Sequence, residues 1–549
     1  MKKKIPNILI VIPARGGSKG IPHKNVRLLG NYPLIWYSIH NAKESNYDPV
    51  VVVSTDNKEI SGLSEKYGVQ VIARPKSLAE DNVTLDPVVH HAVRKVENQS
   101  GKLFDLVITM QPTSPLLTTF TLDKAIENFI ENDFDTVISG VNRPHLSWTR
   151  RDGDYYPLYK KRLNRQYLPA HIQETGAFVI SKREHVTPAS RIGPRVSLFE
   201  IPEEQAIDID TSQDWWVAEK ELNKKIIMFR VEGYSKIGLG HIYRCLSLFF
   251  KLIDHDVFFV LSSKSDLGIA KIKQNHIPYE VITDNSQVTE LIRQRNVDIV
   301  VNDILDTDAD YIKQILSTGV RVVNFEDLGS GANLAHAVIN DLYEKQKDGD
   351  HYYWGSKYYC IRDEFLLANH YKFKKKPKEI LVLFGGTDPA DLTMKLLNVV
   401  NEMKLKDLHF TFIVGMGYGN VSKLKNIVKK NKLNVEIIQS VKFMTRYMEK
   451  ADLAISSQGR TMLELASMAV PTILLAQNKR ELHHEFGYLK NGFLNLGIGK
   501  DVNIATITET VKWLVNTPQI RKQMHNQMLS FDLKKGIKRV LKVIFEEDY

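Results

Sequence analysis

Ile12 to Asn25 reads IPARGGSKGIPHKN, which crowds three glycines, one arginine and two lysines behind an apolar run, NILIVIPA. Glycine lets a backbone turn tightly and come close to a ligand. Backbone N–H groups at a strand-to-helix turn, backed by Arg15, Lys19 and Lys24, would seat a phosphate. The spacing is neither that of a P-loop, which needs G-x-x-x-x-G-K-[ST], nor G-x-G-x-x-G. A purely structural turn is the alternative.

Farther on, AIDIDTSQDW places Asp208 and Asp210 two residues apart. In an I-D-I-D strand both side chains emerge on one face. Paired carboxylates repel unless a cation lies between them, and Mg²⁺ takes one or two carboxylates together with phosphate oxygens. The other reading has Asp208 or Asp210 capping the next helix. A second glycine turn, GYSKIGLGHIYRCLSL (Gly233–Leu248), carries His241. A lone histidine is more often structural; were it functional, a neutral imidazole, with its ordinary pKa of about 6.5, would suit proton transfer. A helix starting near His241 would disfavour the protonated ring. Asp303 in VNDILD and Glu326 and Asp327 in NFEDLGS stand at strand ends near the same cleft. They would either orient water or sugar hydroxyls or cap helices.

These residues need a scaffold, and the chain is long enough for several. At 549 residues it exceeds a single core, and three or so domains are expected. Up to about residue 225, strand-like runs (VVVVST, DLVITMQ, TVISGV, GAFVIS) alternate with helical spacing, which predicts a mostly parallel α/β sheet. A new strand starts at KIIMFRVEG, and the alternation resumes in two series separated by the charged HYKFKKKPKEI (His370–Ile380). The expected domains are 1–225, 226–373 and 374–549, the last two being doubly wound sheets with ligand sites at strand ends. The net charge of +10 suits phosphate-rich partners, but the basic residues are spread out, and no nucleic-acid surface is expected. Two cysteines outside any C-x-x-C pair, and no apolar run of membrane-span length, fit a cytoplasmic protein.

IPARGGSKGIPHKN, MQPTSPLL (Met110–Leu117) and AIDIDTSQDW (Ala206–Trp215), in this order across about residues 5–220, resemble the CMP-sialic acid synthetase (acylneuraminate cytidylyltransferase) family. That resemblance implies a Rossmann-like nucleotidyltransferase domain with a CTP site and a divalent cation. It puts Arg15 and Lys19 on the triphosphate as catalytic groups, with Lys24 and Asn25 in the same loop. Arg74 lies near base and phosphates, and Gln111, Thr113 and Ser114 lie at the cytidine. Asp208 and Asp210 would hold Mg²⁺. Gln173 and Thr175, in QETGAFVI, would face the acyl sugar, although the family often has Asn where Thr175 stands. Relatives commonly dimerise, so a homodimer is expected.

The second half, over about residues 226–500, resembles the pseudaminic-acid pathway UDP-sugar hydrolases, relatives of GT-B glycosyltransferases. The residues that carry this are the His241 turn, LVLFGGTDPADLT (Leu381–Thr393) and ADLAISSQGRTMLELASMAVPTILLAQNKRELHH (Ala451–His484). The resemblance implies a two-lobed GT-B-like module that needs no cofactor, with His241 as general base. Gly385, Gly386 and Thr387 would open a helix facing the UDP diphosphate. Ser457, Gln458, Gly459, Arg460 and Thr461 would form a similar turn, and Glu464 would bind the ribose. Asn478 receives no role. The expected enzyme is bifunctional: one half activates a nonulosonic acid as its CMP ester, and the other hydrolyses a UDP-linked diacetamido-trideoxy sugar with inversion. The rivals for the second half are a GT-B glycosyltransferase and an inactive sugar-nucleotide-binding module.

Overall fold

The computed structural model describes residues 5–17, 20–403 and 407–546. The chain divides into two compact units, Met1–Lys224 and Lys225–Tyr549.

The first unit is built on a seven-stranded sheet in the order Val196–Glu200, Thr136–Asn142, Ile172–Lys182, Leu106–Thr109, Ile8–Pro13, Val50–Thr55, Gln70–Ala73. Every pairing is parallel except the two made by Ile172–Lys182. The central strand, ILIVIP, is buried along its whole length, as expected of a strand covered on both faces. Strand Ile172–Lys182 slips register between Glu174 and Val179. The Ser139 hydroxyl fills that bulge, bonding the Thr175 and Phe178 carbonyls and accepting from Phe178 N. The bulge swings Gly176 toward the QPTS loop, where its carbonyl accepts from Gln111 N at 3.2 Å.

The second unit holds two all-parallel sheets. One has the order Tyr279–Ile282, Asp256–Ser262, Ile226–Val231, Ile299–Asp303, Arg321–Phe325, Ala337–Asn340, Tyr352–Trp354. The other runs Val435–Gln439, His409–Val414, Glu379–Leu383, Leu453–Ser456, Thr472–Ala476, Phe493–Ile498. In each sheet the first strand is central and the order reverses beside it. Such a switch point opens a crevice beyond the strand ends, where ligands bind in folds of this class. His241 follows Ile226–Val231, and Asp303 ends its neighbour Ile299–Asp303. In the second sheet, Gly385 follows Glu379–Leu383 and Ser457 follows Leu453–Ser456.

The expected boundary at 374–549 needs one correction. The last helix, Gly536–Phe545, packs Ile537, Val540, Leu541, Val543 and Ile544 into the core of the first lobe. Arg321 of that lobe donates to the Val543 and Ile544 carbonyls. The helix starts on glycine because a Cβ there would collide with the Tyr359 carbonyl. Replacing the fully buried Ile544 by alanine is expected to cost about 2–5 kcal/mol in the unfolding of the second unit, read by denaturant titration.

Candidate active sites

In the first unit, the glycine loop and the IDID segment lie against each other. A Cβ at Gly20 would strike the Asp210 carbonyl, so only glycine allows that approach. Lys24, largely buried, donates from Nζ to the Ile209 carbonyl at 2.5 Å and pairs with Asp210 Oδ1 at 3.1 Å. Asn25 Nδ2 donates to the Arg15 carbonyl at 3.0 Å, and Arg15 pairs with Asp81 at 2.8 Å. Arg74 is buried and donates to Ser54; burial lowers its pKa, opposed by Asp56 and helped by Arg15. Asp56 in turn accepts from Gly16 N, so one acid ties the glycine loop to the neighbourhood of Arg74. Lys19 lies outside the described residues.

The IDID segment is not a strand. It is an irregular stretch between the 3₁₀ turn Glu203–Ala206 and helix Ser212–Leu222. Its alternation nevertheless holds: Ile209 is buried, while Asp208 and Asp210 are exposed. Ile209 N bonds the Thr113 carbonyl at 2.8 Å, which pins the segment to the QPTS loop. Neither aspartate caps the following helix. Thr211 does so, in a capping box with Asp214. Two exposed carboxylates fit Mg²⁺ only in company with substrate oxygens, because no group of three or more acidic, histidine or cysteine side chains forms a metal cluster among the described residues.

At the other side of this site, Gly176 lies so close to Gln111 and Ser114 that a Cβ would come 3.0 Å from Gln111 Nε2 and 3.3 Å from Ser114 Oγ. The buried hydroxyls of Thr113 and Ser114 have no hydrogen-bond partner among the described residues, which leaves two polar groups for a ligand to satisfy. Gln173 is exposed on the antiparallel strand. Thr175 is not: its hydroxyl is buried and bonded to Ser139 Oγ at 2.8 Å, so it stabilises the bulge and offers no open face to a sugar.

In the second unit, a cavity of about 370 Å³ lies at the facing strand ends, lined by His241, Arg244, Glu326, Arg460, Glu464 and Glu481 among others. His241 is the second residue of helix Gly240–Phe249, and Arg244 follows three residues later on the same face. His241 Nδ1 and Asp303 Oδ1 are 2.6 Å apart. Arg244 binds both Asp303 oxygens, at 2.7 and 2.6 Å, and reaches Glu326 at 2.6 Å and Asp341 at 3.0 Å. Arg460, from the second lobe, joins Glu326 at 3.0 Å and Asp341 at 3.1 Å. Burial pushes the Asp303 carboxyl up, but Arg244 and His241 outweigh it and hold the group at about 2. Burial likewise works against the Arg244 cation, and the three acids overcome it.

Several expected roles move. Gly385, Gly386 and Thr387 line the cavity as a turn and do not open a helix. The helix begins at Leu392, where Asp388 accepts from Leu392 N and Thr393 N and fills the N-terminal anion seat. Ser457, Gly459, Arg460 and Thr461 line the cavity, whereas Gln458 turns its side chain away to the His484 carbonyl and Asn495. Glu464 lines the cavity with one oxygen held by Arg362 at 2.8 Å. Glu326 faces the cavity, while Asp327 is a loop anchor bonded to Thr307 and Asn324. Sequence reasoning missed Arg244, Asp341 and Glu481. Glu481, pushed up to about 7 by burial, accepts from Gln477 N and Gln458 N.

Residues 9–154 match the family model described as Cytidylyltransferase. A pseudaminic acid cytidylyltransferase of Campylobacter jejuni is 32% identical over 38% of this chain and 92% of that protein. The first unit belongs to the cytidylyltransferase family. The chain is also 32% identical to N-acylneuraminate cytidylyltransferase A of Danio rerio, over 44% of the chain and 56% of that protein, so it spans little more than half of that relative. Its residues 380–540 match the Glycosyltransferase family 28 C-terminal domain. Among solved structures, MurG of Acinetobacter baumannii aligns with TM-score 0.45 and 15% identity over 59% of the chain and 100% of that protein.

Asp303 has a folded value below the ordinary aspartate value of about 3.9. Its ionised form therefore stabilises the second unit above that pH, and the contribution disappears as pH falls from about 4 toward 2. The difference is on the order of 2 kcal/mol. Acid titration of stability is expected to steepen across that window, and Asp303→Asn is expected to flatten it.

Proposed function

We propose that the chain is a bifunctional enzyme: its first unit makes a CMP-nonulosonate from CTP, and its second hydrolyses a UDP-linked diacetamido-trideoxy sugar. The first activity is supported above all by the match over 92% of a pseudaminic acid cytidylyltransferase, with the glycine loop and the QPTS loop following two adjacent strands in the middle of the sheet. In this reading the anomeric 2-hydroxyl of the sugar attacks the α-phosphorus of CTP, and pyrophosphate leaves. Arg15 and Lys19 bind the triphosphate, Lys24 and Asn25 hold the loop, and Arg74, Gln111, Thr113 and Ser114 serve the nucleotide. Gln173 is the exposed group for the acyl sugar. Asp208 and Asp210 would hold a divalent cation, which when bound stabilises charge on the phosphates. Pseudaminic acid is the leading substrate. A dimer through the first unit belongs to the same reading and is supported by the exposed hairpin carrying Trp148, Tyr155 and Tyr156. Among the described residues no helix is long and apolar enough to cross a membrane, and both cysteines are buried and free. The free thiols support a reducing, cytoplasmic setting.

For the second unit the carrying observation is the His241–Asp303 contact, which fixes Nδ1 and leaves Nε2 without a hydrogen-bond partner among the described residues, on a ring that lines the cavity. Nε2 takes a proton from water, the water oxygen bonds to the anomeric carbon on the face opposite the nucleotide, and UDP leaves with inversion. The Gly385–Thr387 and Ser457–Thr461 turns border the diphosphate, and the Glu464 oxygen not held by Arg362 serves the ribose.

Two assays separate these activities from their rivals. With CTP, Mg²⁺ and a panel of nonulosonates, mass spectrometry is expected to find a CMP-sugar; none with any of them removes the first activity. With a UDP-sugar and no acceptor, free sugar and UDP are expected in equal amounts. UDP release only when an acceptor is added would make the unit a glycosyltransferase instead.

A further inference from the structure

The cavity wall behind His241 holds three carboxyls, on Asp303, Glu326 and Asp341, against two guanidiniums, on Arg244 and Arg460. Arg244, Asp303, Glu326 and Asp341 are each at most 4% exposed, so no water shell absorbs an unbalanced charge. With every carboxyl ionised and His241 neutral the group carries one negative charge in excess. One proton balances it, and the geometry offers two places for that proton: His241, or one of the acids.

Asp303 is the wrong acid, because Arg244 holds both its oxygens and His241 meets one of them. Glu326 Oε1 receives Nη1 of both arginines. Asp341 differs. Its Oδ1 shares the same two nitrogens, while its fully buried Oδ2 lies 3.1 Å from Arg460 Nη1 yet receives no aligned hydrogen bond among the described residues. Burial pushes Asp341 up with Glu326 adding to the effect, against Arg460 and Arg244. Burial pushes Glu326 up too, and there the two guanidiniums that share its Oε1, Arg244 and Arg460, prevail. The other titratable groups facing the pair include Tyr343, Tyr359 and Cys360, all raised by burial and neutral, and His484 beside Glu326, lowered by burial; Arg480, which donates to the Glu326 carbonyl, is balanced by Asp306.

We propose that Glu326 and Asp341 hold one proton between them, and that this stored proton keeps His241 neutral and free to take a proton from water. Without it, the excess negative charge would draw the proton onto the imidazole, and an imidazolium accepts nothing. Glu326 and Asp341 are thus positioning residues that act through Arg244 and Asp303. The inference rests on the reading of His241 as the base.

The test is spectroscopic and uses the full chain. Infrared difference spectra, wild type minus Asp341→Asn at pH 7, are expected to show one protonated-carboxyl C=O band, absent from the variant because its amide replaces the protonated acid. Glu326→Gln is expected to lose the same band, which covers the case in which Asp341→Asn does not fold. In ¹⁵N spectra of histidine-labelled wild type, His241, assigned by its loss in His241→Gln, is expected to be neutral at pH 7. An unchanged band in the folded variants, or a doubly protonated His241 in wild type, overturns the proposal. UDP release measured on the same wild-type sample separates the two ideas. Its absence would sink the hydrolase reading, while the band and the histidine spectrum still decide where the proton lies.

Discussion

Arg244 carries a full positive charge with essentially no exposed surface. Removing such a cation from water costs several kcal/mol unless close acids balance it, and removing one partner of a buried pair is more damaging than never having built it. The balancing acids come from the ends of three successive strands, Ile299–Asp303, Arg321–Phe325 and Ala337–Asn340, so the cation is held only when the parallel sheet is in register. The same constraint fixes the chemistry. Helix Gly240–Phe249 sets Arg244 three residues from His241, and the Asp303 that neutralises one also fixes the ring of the other.

The two sites solve opposite electrostatic problems. In the first unit, Asp208 and Asp210 are exposed, Lys24 stands beside Asp210, and in the proposed reaction the large negative charge arrives with the nucleotide. Open carboxylates beside Lys24 suit a ligand that brings its own metal and phosphates. In the second unit the charges are buried among one another with one negative charge in excess, which the proposed stored proton balances so that the proposed base stays neutral. Burial strengthens every interaction there, favourable or not.

Much of this plan is legible in the amino-acid sequence because it is periodic. Apolar runs mark the central strands, and the two-residue spacing of Asp208 and Asp210 marks a shared face even though no strand forms. What stays hidden depends on contacts distant in sequence. Nothing local says that Gln458 turns inward to Asn495, that Asp388 takes the helix N-terminus expected for a phosphate, or that the last helix returns to the first lobe. Thr175 is lost to a bulge that Ser139 creates 36 residues away. Asp341 and Arg244 left a fainter trace. The runs IVVND, VVNFED and AVIND each end a buried strand in an acid, and one arginine stands a helical turn beyond the histidine. Three acids at adjacent strand ends require a cation, which the spacing alone could have suggested.

The central claim is that one chain carries two separate nucleotide sites, each with its own charged group in command. The most direct measurement assays both reactions on two variants, His241→Gln and Asp210→Asn. The account predicts that His241→Gln loses UDP release by roughly 100-fold or more, in line with loss of a general base, while CMP-sugar formation is kept. It predicts the reverse for Asp210→Asn. Loss of both activities in either variant, or UDP release at the wild-type rate in His241→Gln, would contradict it.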